Sequence, residues 1–585
     1  MKILLAAVNA KYIHSNPAVY SLKAYAKEYE EHVTIGEFTI NHYPDAILQE
    51  IYRQKPDVIA FSCYIWNLSV IELLIQDLPQ ILPDTEIWLG GPEVSYDVEE
   101  FLQAHPQAKG IMIGEGEVTF QELAEHYVNN TRSLDEIQGI AWRTSAGEVK
   151  RNPIRPLLDM DEIPFLYGSL EDFENRIIYY ESSRGCPFSC SYCLSSIDKS
   201  VRFRSPEKVV QELQFFLDQK VPQVKFVDRT FNCRHSHSMT IWNYIKEHDN
   251  GVTNFHFEIA ADLLNEEELA LLNTLRPGLV QLEIGVQSTN LETIQEIDRV
   301  MNLEQLRKVV KRVQDGGNIH QHLDLIAGLP GENLERFRQS FDDVYAMRPD
   351  QFQLGFLKVL KGSKMHRKAA DYGLCYHRQP VYEVLRTNWL SYSDILELKS
   401  VEEMVEVYYN SGQFAHTIRR LEQEFSSAYE MYKALGAYYE KEGYSGQNQS
   451  RMNRFLILRQ FIRTISENPL YDELLTLDVY LRENSKSRPI WAEDLSPYRA
   501  VEMAFYKREE KERKLLFGYE NFQAKQMMHM AHLEHFHWKV LEHQEPGECW
   551  ILFDYKKRNP LNQDASATDV TEWMKEEESK RSDGT

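Results

Sequence analysis

The chain has 585 residues, 43% of them hydrophobic, and a formal charge of −24 from 65 basic and 89 acidic side chains. Its length predicts roughly two to four domains, and its acidic balance argues against broad, non-specific binding to nucleic acid or an anionic membrane without excluding a local basic groove. No apolar run reaches the roughly 18 residues that span a bilayer, and seven cysteines, three of them inside residues 186–193, fit a reducing cytoplasm and a metal site better than a disulfide framework.

The N-terminal run of short apolar character reads as a buried first strand rather than a signal peptide. Strands are expected at 2–8, 32–38, 57–62, 86–89 and 110–113, with helices between them such as 17–29 and 66–78. That alternation predicts a parallel, doubly wound sheet. A proline-punctuated stretch with Pro153, Pro156 and Pro164 reads as a linker over 136–175. A second strand–helix series follows, with strands at 177–181, 223–227, 255–260, 279–284, 320–326 and 351–357 and helices such as 206–217 and 303–314. Six such units predict a partial (β/α)6 barrel with its chemistry at the C-terminal strand ends. From 366 to 560 helices dominate, for example 400–409 and 413–435, with strands at 530–540 and 550–555 near the end. Residues 561–585 are polar and charged and read as a disordered tail.

The segment Ser183-Arg-Gly-Cys186-Pro-Phe-Ser-Cys190-Ser-Tyr192-Cys193 follows the first barrel strand. Three thiolates this close need a distant fourth ligand to make a zinc site. They can instead hold three irons of a [4Fe–4S] cluster and leave the fourth iron open. The C-x3-C-x2-C spacing, with an aromatic residue before the last cysteine, resembles the radical S-adenosylmethionine (SAM) superfamily. In that superfamily the methionine part of SAM chelates the open iron, and one electron yields a 5′-deoxyadenosyl radical. Further motifs fall in order on the later strands: Lys225–Asn232, Glu258, Glu283–Ser288, and Asp324 leading into Gly328-Leu-Pro-Gly331. The series is similar to oxygen-independent coproporphyrinogen oxidases and to cobalamin-binding radical enzymes. The resemblance implies that Tyr192, Asp228, Glu258, Gln287, Arg299 and Asp324 contact SAM or lie beside it. A carboxylate can accept from ribose hydroxyls or an ammonium, and an arginine can pair with the methionine carboxylate.

In the first sheet, Ser62-Cys63-Tyr64, Gly90-Gly91-Pro92-Glu93 and Gly114-Glu115-Gly116-Glu117 fall at strand ends, where doubly wound sheets bind ligands. The third glycine of a dinucleotide fingerprint is absent. The arrangement resembles the cobalamin-binding domain that precedes many radical SAM barrels, which implies cobalamin contacts at Ser62, Gly90, Gly91 and Glu115. The D-x-H-x-x-G motif of many cobalamin proteins is missing. His14 is a candidate lower ligand at a different spacing, and cobalt without a protein nitrogen below it is the other reading.

Near the C-terminus, His529, His532, His535 and His537 lack a metalloprotease-type carboxylate–histidine motif and read as packing and surface residues. The tyrosines between Ser427 and Tyr444 read as a packed helix face. The basic residues at 507–514 alternate with glutamates and read as a solvated helix face. The whole resembles a cobalamin-dependent radical SAM enzyme with a C-terminal extension that shapes substrate access. That resemblance implies a methyltransferase acting on an unactivated carbon, with SAM, a [4Fe–4S] cluster and cobalamin as cofactors. A cyclase, oxidase or rearrangement enzyme without methyl transfer, a tRNA-modifying enzyme and a non-catalytic cobalamin sensor are the alternatives. The expected partners are a small-molecule or tRNA substrate and an external reductant such as flavodoxin or ferredoxin, in the cytoplasm and away from membranes.

Overall fold

A computed structural model describes residues 1–485 and 487–582. The chain divides into two compact units, Met1–Phe337 with Gly355–Ile395, and Arg338–Leu354 with Leu396–Thr585.

The first unit opens with a seven-stranded sheet. Its strands are β1 (Ile3–Asn9), β2 (Val33–Thr39), β3 (Val58–Ser62), β4 (Glu86–Gly90), β5 (Ala108–Met112), β6 (Ile140–Arg143) and β7 (Val149–Arg151), in the order β2-β1-β3-β4-β5-β6-β7. The first five pair in parallel, and β6 and β7 add antiparallel. All seven residues of β1 are buried, as a central strand covered on both faces requires. Leu4, Ala6 and Val8 pack on one face, and Ile3, Leu5 and Ala7 on the other. The chain reverses its direction of winding between β1 and β3, and a crevice opens at such a switch point.

β6 and β7 lie within the stretch expected to be a linker. Ile140 and Ala141 are buried in the sheet core, and the prolines begin only after β7. Two strands of four and three residues carry too little periodicity to stand out from connecting chain.

The second sheet has six strands. They are β8 (Ile178–Tyr180), β11 (Gln223–Phe226), β12 (Asn254–Ile259), β13 (Val280–Gln287), β14 (His320–Ala327) and β15 (Gln351–Phe356), in the order β15-β14-β13-β12-β11-β8. Between β8 and β11, the short strands β9 (Ser183–Arg184) and β10 (Arg202–Phe203) pair antiparallel and close a loop over the cysteine segment. Local signals agree with the fold. The helix Leu303–Gly316 starts where the Asn302 side chain accepts from the Gln305 amide and stops at Gly317, whose φ of 64° suits glycine. A small hairpin of β16 (Cys375–Tyr376) and β17 (Val384–Arg386) follows the barrel.

The second unit is mainly helical, with helices such as Ala428–Lys441, Arg451–Arg463 and Leu470–Arg482. The single helix expected over 413–435 is broken, because Ser427 caps a new one. Tyr429, Tyr432 and Tyr439 are buried, as a packed face requires. A three-stranded antiparallel sheet follows, made of β18 (Ala531–Trp538), β19 (Pro546–Arg558) and β20 (Ala565–Asp569). His529 is not on β18 but on the preceding helix Ala524–Met530.

The expectation of a disordered tail is corrected here. β20 pairs with β19, and a helix spans Thr571–Ser582, while residues 583–585 lie outside the described residues. Composition misleads because few apolar residues do the anchoring. Val570 and Met574 enter the same core as Leu533, Trp550 and Leu552. Met574→Ala is therefore expected to lower stability by about 2–4 kcal/mol, read as a lower denaturant midpoint. A disordered tail would give no change.

Candidate functional site

A cavity of about 840 Å³ opens at the carboxyl ends of the first sheet. Its wall includes Ser62, Gly90, Gly91, Gly114 and Glu115 from the first sheet and Tyr180, Gly185, Val227 and Arg229 from the barrel. The volume falls in the range of a pocket that buries a sizeable ligand. Gly91 has φ 112°, and a Cβ there would sit 2.5 Å from the Cys63 carbonyl oxygen, so only glycine fits. A Cβ on Gly114 would meet nothing within 4 Å, so its backbone borders open space. Tyr64 and Trp66 stack with centroids 4.5 Å apart and also line the cavity.

Glu115 does not offer a free carboxylate. It takes Arg202 Nη2 at 2.5 Å and Arg184 Nη1 at 3.4 Å, and it accepts from the Leu158 amide at 2.9 Å. Glu117 takes Arg184 Nη2 at 2.6 Å, and Arg184 also pairs with Glu181 at 2.9 Å. Because Arg184 and Arg202 face each other in the β9–β10 pair, both ends of the cysteine loop are clamped to the turn after β5. Charge alternation hinted at neither arginine.

Cys186 and Cys190 are buried, Cys193 is partly exposed, and all three are free thiols. Backbone bonds hold the loop: the Cys186 amide donates to Asp198, that of Cys193 to Cys190, and that of Ser191 to Ile297. Arg299 reaches Cys190 Sγ at 3.7 Å and the Tyr192 hydroxyl at 3.4 Å, and it donates to the Gly285 carbonyl. Burial pushes the Cys190 thiol up, and Arg299 works against that shift.

The other expected residues divide. Asp324 accepts from the Val286 amide at 2.9 Å and from Gln287 Nε2 at 3.1 and 3.2 Å. Burial raises it to about 6, with Arg299 and the amide pulling the other way. Gln287 sits at a bulge of β13 with φ 70°. Glu258 is raised to about 7 by burial and then by Glu283, against Arg229 and Lys225. Asp228 departs from the expectation of a cofactor contact. It is fully buried and accepts from the Ser182 amide at 3.0 Å and from the hydroxyls of Ser182 at 2.6 Å and Ser183 at 2.5 Å. Its carboxylate is spent on holding the entry to the cysteine loop. His14 lines the cavity, with Nδ1 2.5 Å from the Tyr179 hydroxyl, and burial lowers its pKa towards a neutral imidazole.

One set of lumen contacts escaped the sequence reading, which took Lys225 and Glu283 only as parts of strand-end motifs and did not name His256. Glu283 Oε2 lies 3.2 Å from Lys225 Nζ and 3.0 Å from His256 Nε2, and Glu283 stands opposite both Glu258 and His322 in register. Burial works against the Glu283 charge, yet His256, Lys225 and His322 hold it down at about 2. The signal was present as polar residues alternating with apolar ones along β12, β13 and β14.

The donors fit the implied cofactors. Three unpaired thiols on one clamped loop suit three irons. Gln287 Oε1 and Arg299 Nε are buried without a hydrogen-bond partner, as groups awaiting a polar ligand would be. Asn16 Oδ1, in the cavity wall, is in the same state.

Comparison with known proteins matches this layout. The B12 binding domain model matches residues 3–124, the Radical SAM superfamily model 180–344, and the protein-of-unknown-function family DUF4080 370–553. The chain is 26% identical over 381 residues to the cobalamin-dependent radical SAM methyltransferase TokK of Streptomyces tokunonensis, covering 60% of this chain and 55% of TokK. It is 23% identical to the anaerobic magnesium-protoporphyrin IX monomethyl ester cyclase of Rubrivivax gelatinosus, covering 55% of this chain and 60% of the cyclase. The alignments thus span little more than half the length of these two relatives. Among solved structures, the radical SAM methyltransferase TsrM of Kitasatospora setae, with cobalamin and a [4Fe–4S] cluster bound, superposes with a TM-score of 0.52 at 17% identity, over 65% of this chain and 79% of TsrM. At that identity the likeness speaks for the fold. No described helix is long and apolar enough to cross a membrane. The crevice at the first sheet, the clamped cysteine loop and the two domain matches make the chain a cobalamin-binding radical SAM protein, with cobalamin, a [4Fe–4S] cluster and SAM as its cofactors and a DUF4080 region after the barrel.

Proposed function

We propose that the chain is a cobalamin-dependent radical SAM methyltransferase acting on an unactivated carbon of a polar small molecule. The observation that carries the reading is a shared wall. Gly185, next to Cys186, and Ser195 and Asp198, just after Cys193, line the same cavity as Ser62, Gly90 and Gly91. A corrin held by this wall would be bordered by residues of the cysteine loop. When bound, the cluster with SAM supplies hydrogen abstraction and the corrin supplies a methyl group.

In this reading Cys186, Cys190 and Cys193 hold the irons. Arg299 pairs with the methionine carboxylate of SAM, Gln287 and Asp324 hold its polar groups, and Tyr192 packs beside the cluster. Asp228 and Glu115 act as positioning residues, since their carboxylates are already engaged. The substrate in this reading faces the barrel wall that carries Glu258 and the Lys225–Glu283–His256 group. A purely hydrocarbon ligand would strip water from these charges without returning hydrogen bonds, which favours a polar substrate. The reading places residues 1–135 around cobalamin and 176–365 around the cluster and SAM. It also places the protein in the cytoplasm with an external one-electron donor such as flavodoxin or ferredoxin. The likeness to the Rubrivivax cyclase supports a second reading, a cyclisation without methyl transfer.

SAM carrying a labelled methyl group, given to the anaerobically loaded enzyme with extracts fractionated by polarity, is expected to label a product. Turnover to 5′-deoxyadenosine with unlabelled product selects the second reading. Replacing the three cysteines by alanine should remove about four irons per chain and abolish 5′-deoxyadenosine, and retention of both overturns the ligand assignment.

Glu283→Gln removes the charge that helps hold the Glu258 pKa near 7. Glu258 then ionises at lower pH, so a limb it controls in uncoupled SAM cleavage should move down by about one pH unit. Glu258→Gln should erase that limb. A limb unmoved by either substitution belongs to another group.

A further inference from the structure

The sequence reading treats the C-terminal histidines as packing residues. The fold brings a carboxylate to two of them from 42–44 positions away. In the second unit, His535 Nδ1 lies 2.8 Å from Glu493 Oε2, and His537 Nε2 lies 3.6 Å from the same oxygen. One ligand atom from each of the three residues falls within 4.8 Å of the other two. We infer that Glu493, His535 and His537 form a site for a divalent metal ion of the zinc class, separate from both cofactor centres.

Three features favour an ion over a surface coincidence. First, His535 and His537 alternate on β18, so both imidazoles project to one face. Second, His535 is fixed before any metal arrives. Its side chain is 3% exposed and its ring packs against Tyr498 and Trp550, with centroids 5.1 and 4.9 Å away. His537 and Glu493 are 53% and 35% exposed, which leaves an entry path and a position for water. Third, the local polar groups are unevenly satisfied. Glu473 takes the His537 amide on Oε1 at 2.9 Å, but its Oε2 is buried without a hydrogen-bond partner, and it interacts electrostatically with both imidazoles. Arg488 is attracted to Glu493 but makes no side-chain hydrogen bond to its carboxylate, because its terminal nitrogens grip Glu534 and its Nε donates to the Glu493 main chain.

Two imidazoles and a carboxylate, with water in the fourth place, suit zinc. Tetrahedral coordination puts ligand atoms about 3.4 Å apart, so the 2.8 Å between His535 Nδ1 and Glu493 Oε2 must open while the widest separation, within 4.8 Å, closes. Glu493 lies in the segment between the helix Leu470–Arg482 and the short turn Ser496–Tyr498, where side-chain rotation and a small backbone shift can supply that adjustment. The ion would pin this segment to β18 and so contribute to the stability of the second unit.

The test uses full-length protein already loaded with iron and cobalamin, so that zinc does not compete for the thiols. After equilibration with micromolar Zn²⁺ and gel filtration, metal analysis should find about one zinc per chain. His537→Ala and Glu493→Gln, both at partly exposed side chains, should each lose it with iron and cobalt counts unchanged. Zinc should raise the unfolding temperature of the parent protein and leave that of the variants unmoved. A parent protein without retained zinc overturns the inference, and so do variants that hold as much zinc as the parent.

Discussion

The arginine–glutamate clamp between the two sheets of the first unit is the constraint on which the cofactor geometry depends. Arg184 and Arg202 flank the cysteine loop, and Glu115 and Glu117 follow β5. These are largely buried pairs: the Glu117 side chain is 5% exposed and that of Arg184 19%. Removing one partner of such a pair costs about 3–5 kcal/mol, because the remaining charge is left buried. The net contribution of the whole web to stability is a different matter, since desolvation offsets much of the attraction. Its clearer role is register. A loop that must present three thiols has little hydrophobic surface of its own, so its position comes from what its ends are tied to.

The same economy governs the neighbouring groups. Asp228 is buried at the end of β11 and accepts three hydrogen bonds from Ser182 and Ser183. Arg299 stands between Cys190, Tyr192 and the Gly285 carbonyl. Gly285 stands opposite Asp324 in register. Each tie links the cysteine loop to a different barrel strand. The thiols are therefore held by electrostatics and backbone hydrogen bonds drawn from the turn after β5, β11, β13 and the turn carrying Arg299, as well as by the burial of Cys186 and Cys190.

Much of this was legible in the sequence. The strands of the first sheet were visible because parallel strands buried on both faces are runs of apolar residues, with ends marked by Ser62, Gly90 and Gly114, and those of the barrel because short strand-like segments recur between helices. The cysteines were visible because their ligands are contiguous. What escaped depends on residues far apart in the chain. Asp228 at a strand end looked like a ligand group, and only the fold shows two serines consuming it. Glu493 lies 42 residues before His535, and no local motif joins them. β6, β7 and β20 are short strands whose pairing partners, not their own composition, order them. Lys225, His256 and Glu283 are a different failure, since Lys225 and Glu283 were read only as parts of strand-end motifs and the alternation that joins them to His256 was passed over.

That lumen group also shows how one barrel supports two opposite carboxylates. Glu258 and Glu283 are neighbours in register, yet one is pushed up to about 7 and the other held at about 2. Burial disfavours charge on both. The difference is that Lys225 and His256 close on Glu283, so the negative charge settles there and repels a second one at Glu258. A pair of equivalent acids thereby becomes one fixed anion and one group that exchanges its proton near neutrality. The asymmetry requires nothing from the cofactors. It follows from which strand carries the lysine, and it puts a proton-exchanging group on the barrel wall before any ligand arrives.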